Sequence, residues 1–158
     1  VLVKFINAKS KKFFIREYLG NMKKISLQQA VSIAHQHYQS KQYRQVKHIL
    51  QPFIQHGVQS VDISYFMASA HYCLDEYEQA VEAYHCGIQI NPDFAILHAG
   101  LGNTYVQLEF YDAAIKSYNQ AITINPDYLD VYYNLVYVIS HHLEVSSCQF
   151  SFYHKMMI

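Results

Sequence analysis

The chain writes one heptapeptide nearly twice. Ile88–Phe94 reads IQINPDF, and Ile122–Tyr128 reads ITINPDY. The two copies set an internal period of about 34 residues, and a period of that size makes each copy one supersecondary unit that buries its apolar face against the next. Shifting the sequence by one period superposes Tyr43, Tyr77 and Tyr111, and likewise Val46, Ala80 and Ala114. Leu50, Tyr84 and Tyr118 fall together, as do Ala34, Ala68 and Gly102, Ile33, Met67 and Leu101, and Pro92 with Pro126.

Each unit reads as two helices. In Ala95–Leu108, the residues Leu97, Leu101, Tyr105 and Leu108 form one apolar stripe at helical spacing. Glu109-Phe110-Tyr111 makes the turn, and a second helix from about Asp112 to Ile124 presents Ala114, Ile115, Tyr118, Ala121 and Ile122. Val61–Leu74 with Glu78–Ile90 repeats the pattern; Ser26–Ser40 with Arg44–His56 does so less cleanly. The counts of 5 glycines and 3 prolines agree with long helices rather than many short strands. Gly102 with Ala114, and Ala68 with Ala80, leave room for two helix backbones to approach, and Tyr118 and Tyr84 fill the space beside them. Pro92 and Pro126 stop the second helices, because proline disfavours the helical conformation of the residue before it. Asp93 and Asp127 are expected to cap the helices that follow.

These features resemble the tetratricopeptide repeat (TPR) family. The resemblance rests on Leu101-Gly102, Tyr105, Tyr111, Ala114, Tyr118, Ala121 and Pro126, and on Met67-Ala68, Tyr77, Ala80, Tyr84 and Pro92 in the preceding unit. It covers about 27–143. The family implies an all-α, right-handed superhelix of antiparallel helix pairs whose concave groove binds a protein or peptide segment. The expected division is a basic, weakly structured arm over 1–24, a degenerate unit over 25–60, and full units over 61–94 and 95–128. The first helix of an incomplete fourth unit follows over 129–143, then a non-repeat tail over 144–158. In the degenerate unit Val46 replaces the small alanine and Val58 stands where proline would be.

The zero net charge hides an asymmetry. Residues 1–24 hold seven basic side chains against Glu17, a net of +6, so the remainder carries −6. A solvated tail is the plainer reading of this arm; contact with an anionic partner or with the body is the alternative. The fourth-unit helix is apolar nearly all round, with Val131, Tyr132, Tyr133, Leu135, Val136, Tyr137, Val138 and Ile139. A terminal cap should present a polar outer face. Truncation near 140, or self-association through this helix, is therefore expected. A start at Val1 fits a fragment, a processed chain or a translation that begins too early.

The resemblance places the groove on the first helix of each unit. The residues it selects are Asp62, Tyr65, Phe66, Ser69, Ala99, Asn103, Val106, Asp130, Tyr133, Asn134 and Tyr137, joined by Cys73 and Ile96 and, in the degenerate unit, by Gln28, Val31, His35 and Gln39. Tyrosine suits recognition, with large area, few rotamers and a polar tip. Tyr72 and Tyr132 are read instead as covering neighbouring helices. Chaperone-binding members of the family clamp a peptide carboxylate with lysine and arginine. The matching positions here are Val31, His35, Phe66, Ile96 and Gly100, so no such clamp is expected.

Catalytic signals are missing from the sequence. No phosphate-cradling glycine loop, G-x-S-x-G or H-E-x-x-H occurs. His71 with Cys73, and His85 with Cys86, have spacings that put the two side chains on different helix faces, so no metal or cofactor is expected. The acidic body argues against nucleic acid. No apolar run reaches the ~18 residues of a membrane span. Cys73, Cys86 and Cys148 form no disulfide framework, which points to a reducing, cytoplasmic setting. The expected function is a non-catalytic binding scaffold. The alternative is the N-terminal substrate-recognition part of a larger enzyme, such as a TPR-containing glycosyltransferase or sulfotransferase.

Overall fold

A computed structural model describes residues 25–140. The arm, the tail and the last residues of the expected 129–143 helix lie outside the described residues. The described residues form seven helices and no strand. They are α1 (Leu27–Gln39), α2 (Tyr43–Gln55), α3 (Val61–Cys73), α4 (Tyr77–Ile90), α5 (Ala95–Gln107), α6 (Tyr111–Ile124) and α7 (129–140). The first six pack as adjacent pairs, α1 with α2, α3 with α4 and α5 with α6. The pairs stack in order, and α1 also touches α3 as α3 touches α5. One layer therefore consists of the first helices and the other of the second helices.

Local signals set the ends. Ser26 opens α1 with a capping box: its Oγ accepts the Gln29 N–H, and Gln29 Oε1 accepts the Ser26 N–H. The turns inside the three units are alike. Lys41, Asp75 and Glu109 occupy one repeat position and sit at φ 57, 60 and 60. Each ends a first helix in a Schellman motif: the Glu109 N–H reaches the Val106 carbonyl and the Phe110 N–H the Tyr105 carbonyl, and the other two turns repeat this pattern. Three non-glycine residues thus hold a backbone conformation that glycine adopts more cheaply.

The INPD joints stop their helices as expected but start the next ones differently. Asn91 and Asn125 leave the helical conformation, at φ -140 and φ -130, directly before Pro92 and Pro126. Asp93 and Asp127 are not caps by side chain. Phe94 is the N-cap of α5, with no side-chain cap bond. The asparagines take the local role, each Oδ1 accepting the N–H of the aspartate two residues on. This is an Asx turn, which the side chain of Asn favours over continuing the helix. The degenerate unit uses Gly57 at φ 69 to close α2.

The core has three clusters, and each one crosses a unit boundary. Val46 and Leu50 of α2 pack with Ile63 and Met67 of α3. Ala80 and Tyr84 of α4 pack with Leu97 and Leu101 of α5. Tyr118 and Ala121 of α6 pack with Val131 and Val138 of α7. A unit alone would leave these faces open, so stacking is what buries them. The small residues do the work the sequence assigns them. A Cβ on Gly102 would stand 2.5 Å from the Tyr118 ring. Gly100 is equally close to the Tyr84 ring.

Candidate functional site

The layer of first helices carries two adjoining hollows. The first, of about 230 Å³, lies between α3 and α5 and is lined by Tyr65, Ser69, Ile96, Ala99 and Asn103, with Tyr38, Tyr72, Cys73, Tyr84, Gly100 and Tyr128. The second, of about 260 Å³, adjoins α7 and is lined by Asn103, Val106, Asn134 and Tyr137, with Tyr72, Gln107, Tyr118 and Val138. Tyr72 and Asn103 line both, so the hollows form one groove.

The floor is built from below. Tyr84 and Tyr118 start on the second helices, pass beside Gly100 and Gly102, and bring their hydroxyls up into the groove. The Tyr118 hydroxyl donates to Asn103 Oδ1 at 2.7 Å, and Asn134 Nδ2 donates to the same oxygen at 3.0 Å. At the equivalent place one unit earlier, the Tyr84 and Ser69 hydroxyls lie 3.4 Å apart. Two donors on one oxygen fix the Asn103 amide plane. Its NH₂ group makes no hydrogen bond among the described residues and is not sealed in the core. It is a donor available to a ligand.

Burial pushes the Tyr84 and Tyr118 phenols well above their ordinary value. Tyr38 is pushed up to about 12, by burial first and then by Cys73. All three stay neutral near pH 7 and act as hydrogen-bonding groups. Tyr128 is also raised, by burial and then by the nearby Tyr65 and Asp130, which places Asp130 within electrostatic range of the first hollow.

The structure brings nine of the expected residues together: Tyr65, Ser69, Cys73, Ile96, Ala99 and Asn103 in the first hollow, and Val106, Asn134 and Tyr137 with Asn103 in the second. Asp62 and Asp130 are exposed and line neither hollow. Tyr133 is 74% exposed and also lines neither. Phe66 packs against the α1–α3 core, 5.6 Å from His35 and 5.2 Å from Tyr65. Tyr72, read from sequence as a cover for neighbouring helices, packs against the core of Ala80, Tyr84, Leu97 and Leu101 and also lines both hollows. The sequence pattern also passes over Tyr38, Tyr84, Gly100, Tyr118 and Tyr128. A signal exists for one pair: Tyr38 and Tyr72 stand one period apart, at the position Val106 occupies in the third unit.

A larger hollow of about 750 Å³ opens on the other layer, between α2 and α4 over Ile63 and Met67. Among the described residues no three His, Cys, Asp or Glu side chains stand close enough to hold a metal ion. No described helix is long and apolar enough to cross a membrane.

Stacked antiparallel helix pairs with a groove on the first-helix layer define an α-helical repeat scaffold. The TPR repeat pattern matches residues 68–109 and 102–138, so this part of the chain is built of tetratricopeptide repeats. Solved structures agree on the fold. A crystal structure of MamA matches with a TM-score of 0.73 and 18% identity, covering 87% of this chain and 86% of that one. The first TPR domain of Spaghetti (RPAP3), bound to the HSP90 peptide SRMEEVD, matches with a TM-score of 0.70 and 13% identity over 75% of this chain and 97% of that one. The Sgt2 TPR domain from Aspergillus fumigatus matches with a TM-score of 0.70 and 14% identity over 75% and 80%. No curated protein matches by sequence.

Proposed function

We propose that the groove binds an extended segment of another protein and does not transform it. The observation that carries this reading is Asn103. Its carbonyl oxygen is locked by Tyr118 and Asn134, while its NH₂ group is left for a backbone carbonyl of the ligand. The tyrosines around it supply apolar area with polar tips. That the fold can work this way is supported by the neighbouring domain whose structure holds an HSP90 peptide. The ligand class differs here. α1, α3, α5 and α7 carry no Lys or Arg among the described residues, so an acidic peptide tail has no clamp. The proposal includes a reducing, cytoplasmic setting, in keeping with the free thiols of Cys73 and Cys86.

Parallel pull-downs with wild type, Tyr65→Ala and Asn103→Ala test the reading. A shared set of partners should be lost or weakened about tenfold in Asn103→Ala, the worth of roughly 1.4 kcal/mol. Retention of every partner by both variants would sink the groove assignment. A second reading, self-association through α7, rests on its open apolar face: Tyr133 is 74% and Tyr137 64% exposed. Sedimentation over a range of concentrations decides it, and a strictly monomeric chain rules it out.

A further inference from the structure

We infer that the groove takes a turn of polyproline II helix: an uncharged, proline-rich segment with prolines three residues apart, one ring in each hollow. The inference rests on the groove being a binding site for extended chain, and it names the class of segment.

The walls select against charge. Seven tyrosines line the two hollows, and none of the lining residues is Asp, Glu, Lys, Arg or His. A charged side chain seated there would give up water and meet no counter-charge. An apolar ring gives up nothing polar and meets the tyrosine rings. Grooves walled by aromatic rings recognise proline-rich segments in several unrelated folds.

The fixed polar group of the floor points the same way. Asn103 Oδ1 already accepts from the Tyr118 hydroxyl and from Asn134 Nδ2, so the side chain has only its NH₂ donor left to offer. Proline brings a carbonyl and no N–H. A polyproline II helix makes no internal hydrogen bonds, so its carbonyls stay open to such a donor. It is also extended before it binds, which cuts the entropy lost on binding.

Spacing separates this conformation from the others. The hollows measure about 230 and 260 Å³. Each is smaller than a small-molecule site of about 300–1,000 Å³, and suits a side chain or two. α3 packs on α5, and the Asn134–Asn103 bond ties α7 to α5. Successive hollows therefore stand about one helix spacing, or roughly 8–10 Å, apart. A polyproline II helix turns once in about three residues and rises about 9 Å as it does so, which returns residue i+3 to the face of residue i. Same-face residues of a β-strand recur at about 7 Å. Turns of an α-helix recur at about 5.4 Å. The polyproline II repeat is the one that matches. The larger hollow between α2 and α4 is a poorer host: its lining includes Glu82 and His71 and no tyrosine.

The test titrates the full chain into fluorescein-labelled decapeptides and reads anisotropy. PAAPAAPAAP is expected to bind saturably. Serine in place of its prolines (SAASAASAAS) should weaken binding about tenfold or more. PPAAAPAAAP, of the same composition but with no two prolines three apart, should bind severalfold more weakly. Asn103→Ala and Tyr65→Ala, each checked by circular dichroism for an intact fold, should both weaken PAAPAAPAAP severalfold or more. No saturable binding of PAAPAAPAAP, equal binding of the serine or shuffled peptide, tighter binding of KAAKAAKAAK or EAAEAAEAAE, or indifference to both variants would each overturn the inference. If PAAPAAPAAP fails to bind while Asn103→Ala still loses its pulled-down partners, the groove reading stands and the polyproline ligand falls. If both variants keep every partner and every peptide, the groove reading falls and takes this inference with it.

Discussion

α5 and α7 hold the same place in successive repeats, yet they bury very different parts of themselves. α5 buries Leu97, His98, Ala99, Leu101, Gly102 and Thr104. In α7 only Val131 and Val138 are buried, while Leu129, Tyr132, Tyr133, Val136, Tyr137 and Ile139 are exposed. The cause is position in the stack. α5 lies between α4 and α6, whereas the described core around α7 is drawn from α5 and α6. His98 can be buried because its Nε2–H donates to the Pro92 carbonyl at 2.8 Å; Tyr132, the equivalent residue, is 40% exposed. The difference teaches that apolar sequence marks a face that needs covering. Whether it is covered is a property of the array.

The comparison can be broken most decisively by truncating equivalent residues. Leu101→Ala, at a buried site, should cost about 2–5 kcal/mol in urea unfolding. Leu135→Ala, at the half-buried counterpart one period on, should cost less than half as much. Equal losses would mean that α7 is as well covered as α5. The next contrast concerns the close approach. Gly102→Ala pushes a methyl group into the Tyr118 ring and should cost about 1–3 kcal/mol. Val136→Ala, at the 63% exposed counterpart, should change stability by no more than about 0.5 kcal/mol. A large loss at Val136 would reveal a second helix packed over α7.

A gain is expected at the turn that follows α5. Glu109→Gly relieves a left-handed non-glycine residue and should raise the unfolding free energy by about 1 kcal/mol. No gain would show that Glu109 is held by contacts beyond its backbone. The smallest effect is confined to alkaline solution. Tyr38 is raised in the folded state to about 12 from an ordinary value of 10.0, so the unfolded chain ionises first. A folded chain that holds its proton longer is stable relative to the unfolded one below pH 10, and that stability is lost as the pH climbs toward 12. Tyr38→Phe should flatten that decline in urea midpoint, and an unchanged slope would assign the alkaline loss to the buried Tyr84 and Tyr118 instead.

Much of the scaffold is legible because repetition makes a sequence its own control. Tyr84 falling on Tyr118, and Ala80 on Ala114, mark positions facing the same neighbour in successive units. The groove is less legible, for a physical reason. A first-helix position can be chosen by periodicity, which reaches Ser69, Ala99, Asn103 and Asn134 along the hollows. A second-helix side chain that threads past a glycine into the groove, as Tyr118 does, belongs to no first-helix stripe. Phe66 departs the other way, since its ring turns into the α1–α3 core. Asp93 does not cap because its helix starts one residue later than a cap at 93 needs, with Phe94 at the N-cap.

By itself the sequence determined the period, the helix pairs and the stops at Pro92 and Pro126, because these depend on local sterics and on residue spacing along the chain. Only the tertiary structure decided which tyrosines meet in the groove, which way the Asn103 amide faces and how far α7 is covered. Those outcomes depend on how separate helices lie against one another, and no single helix carries that information.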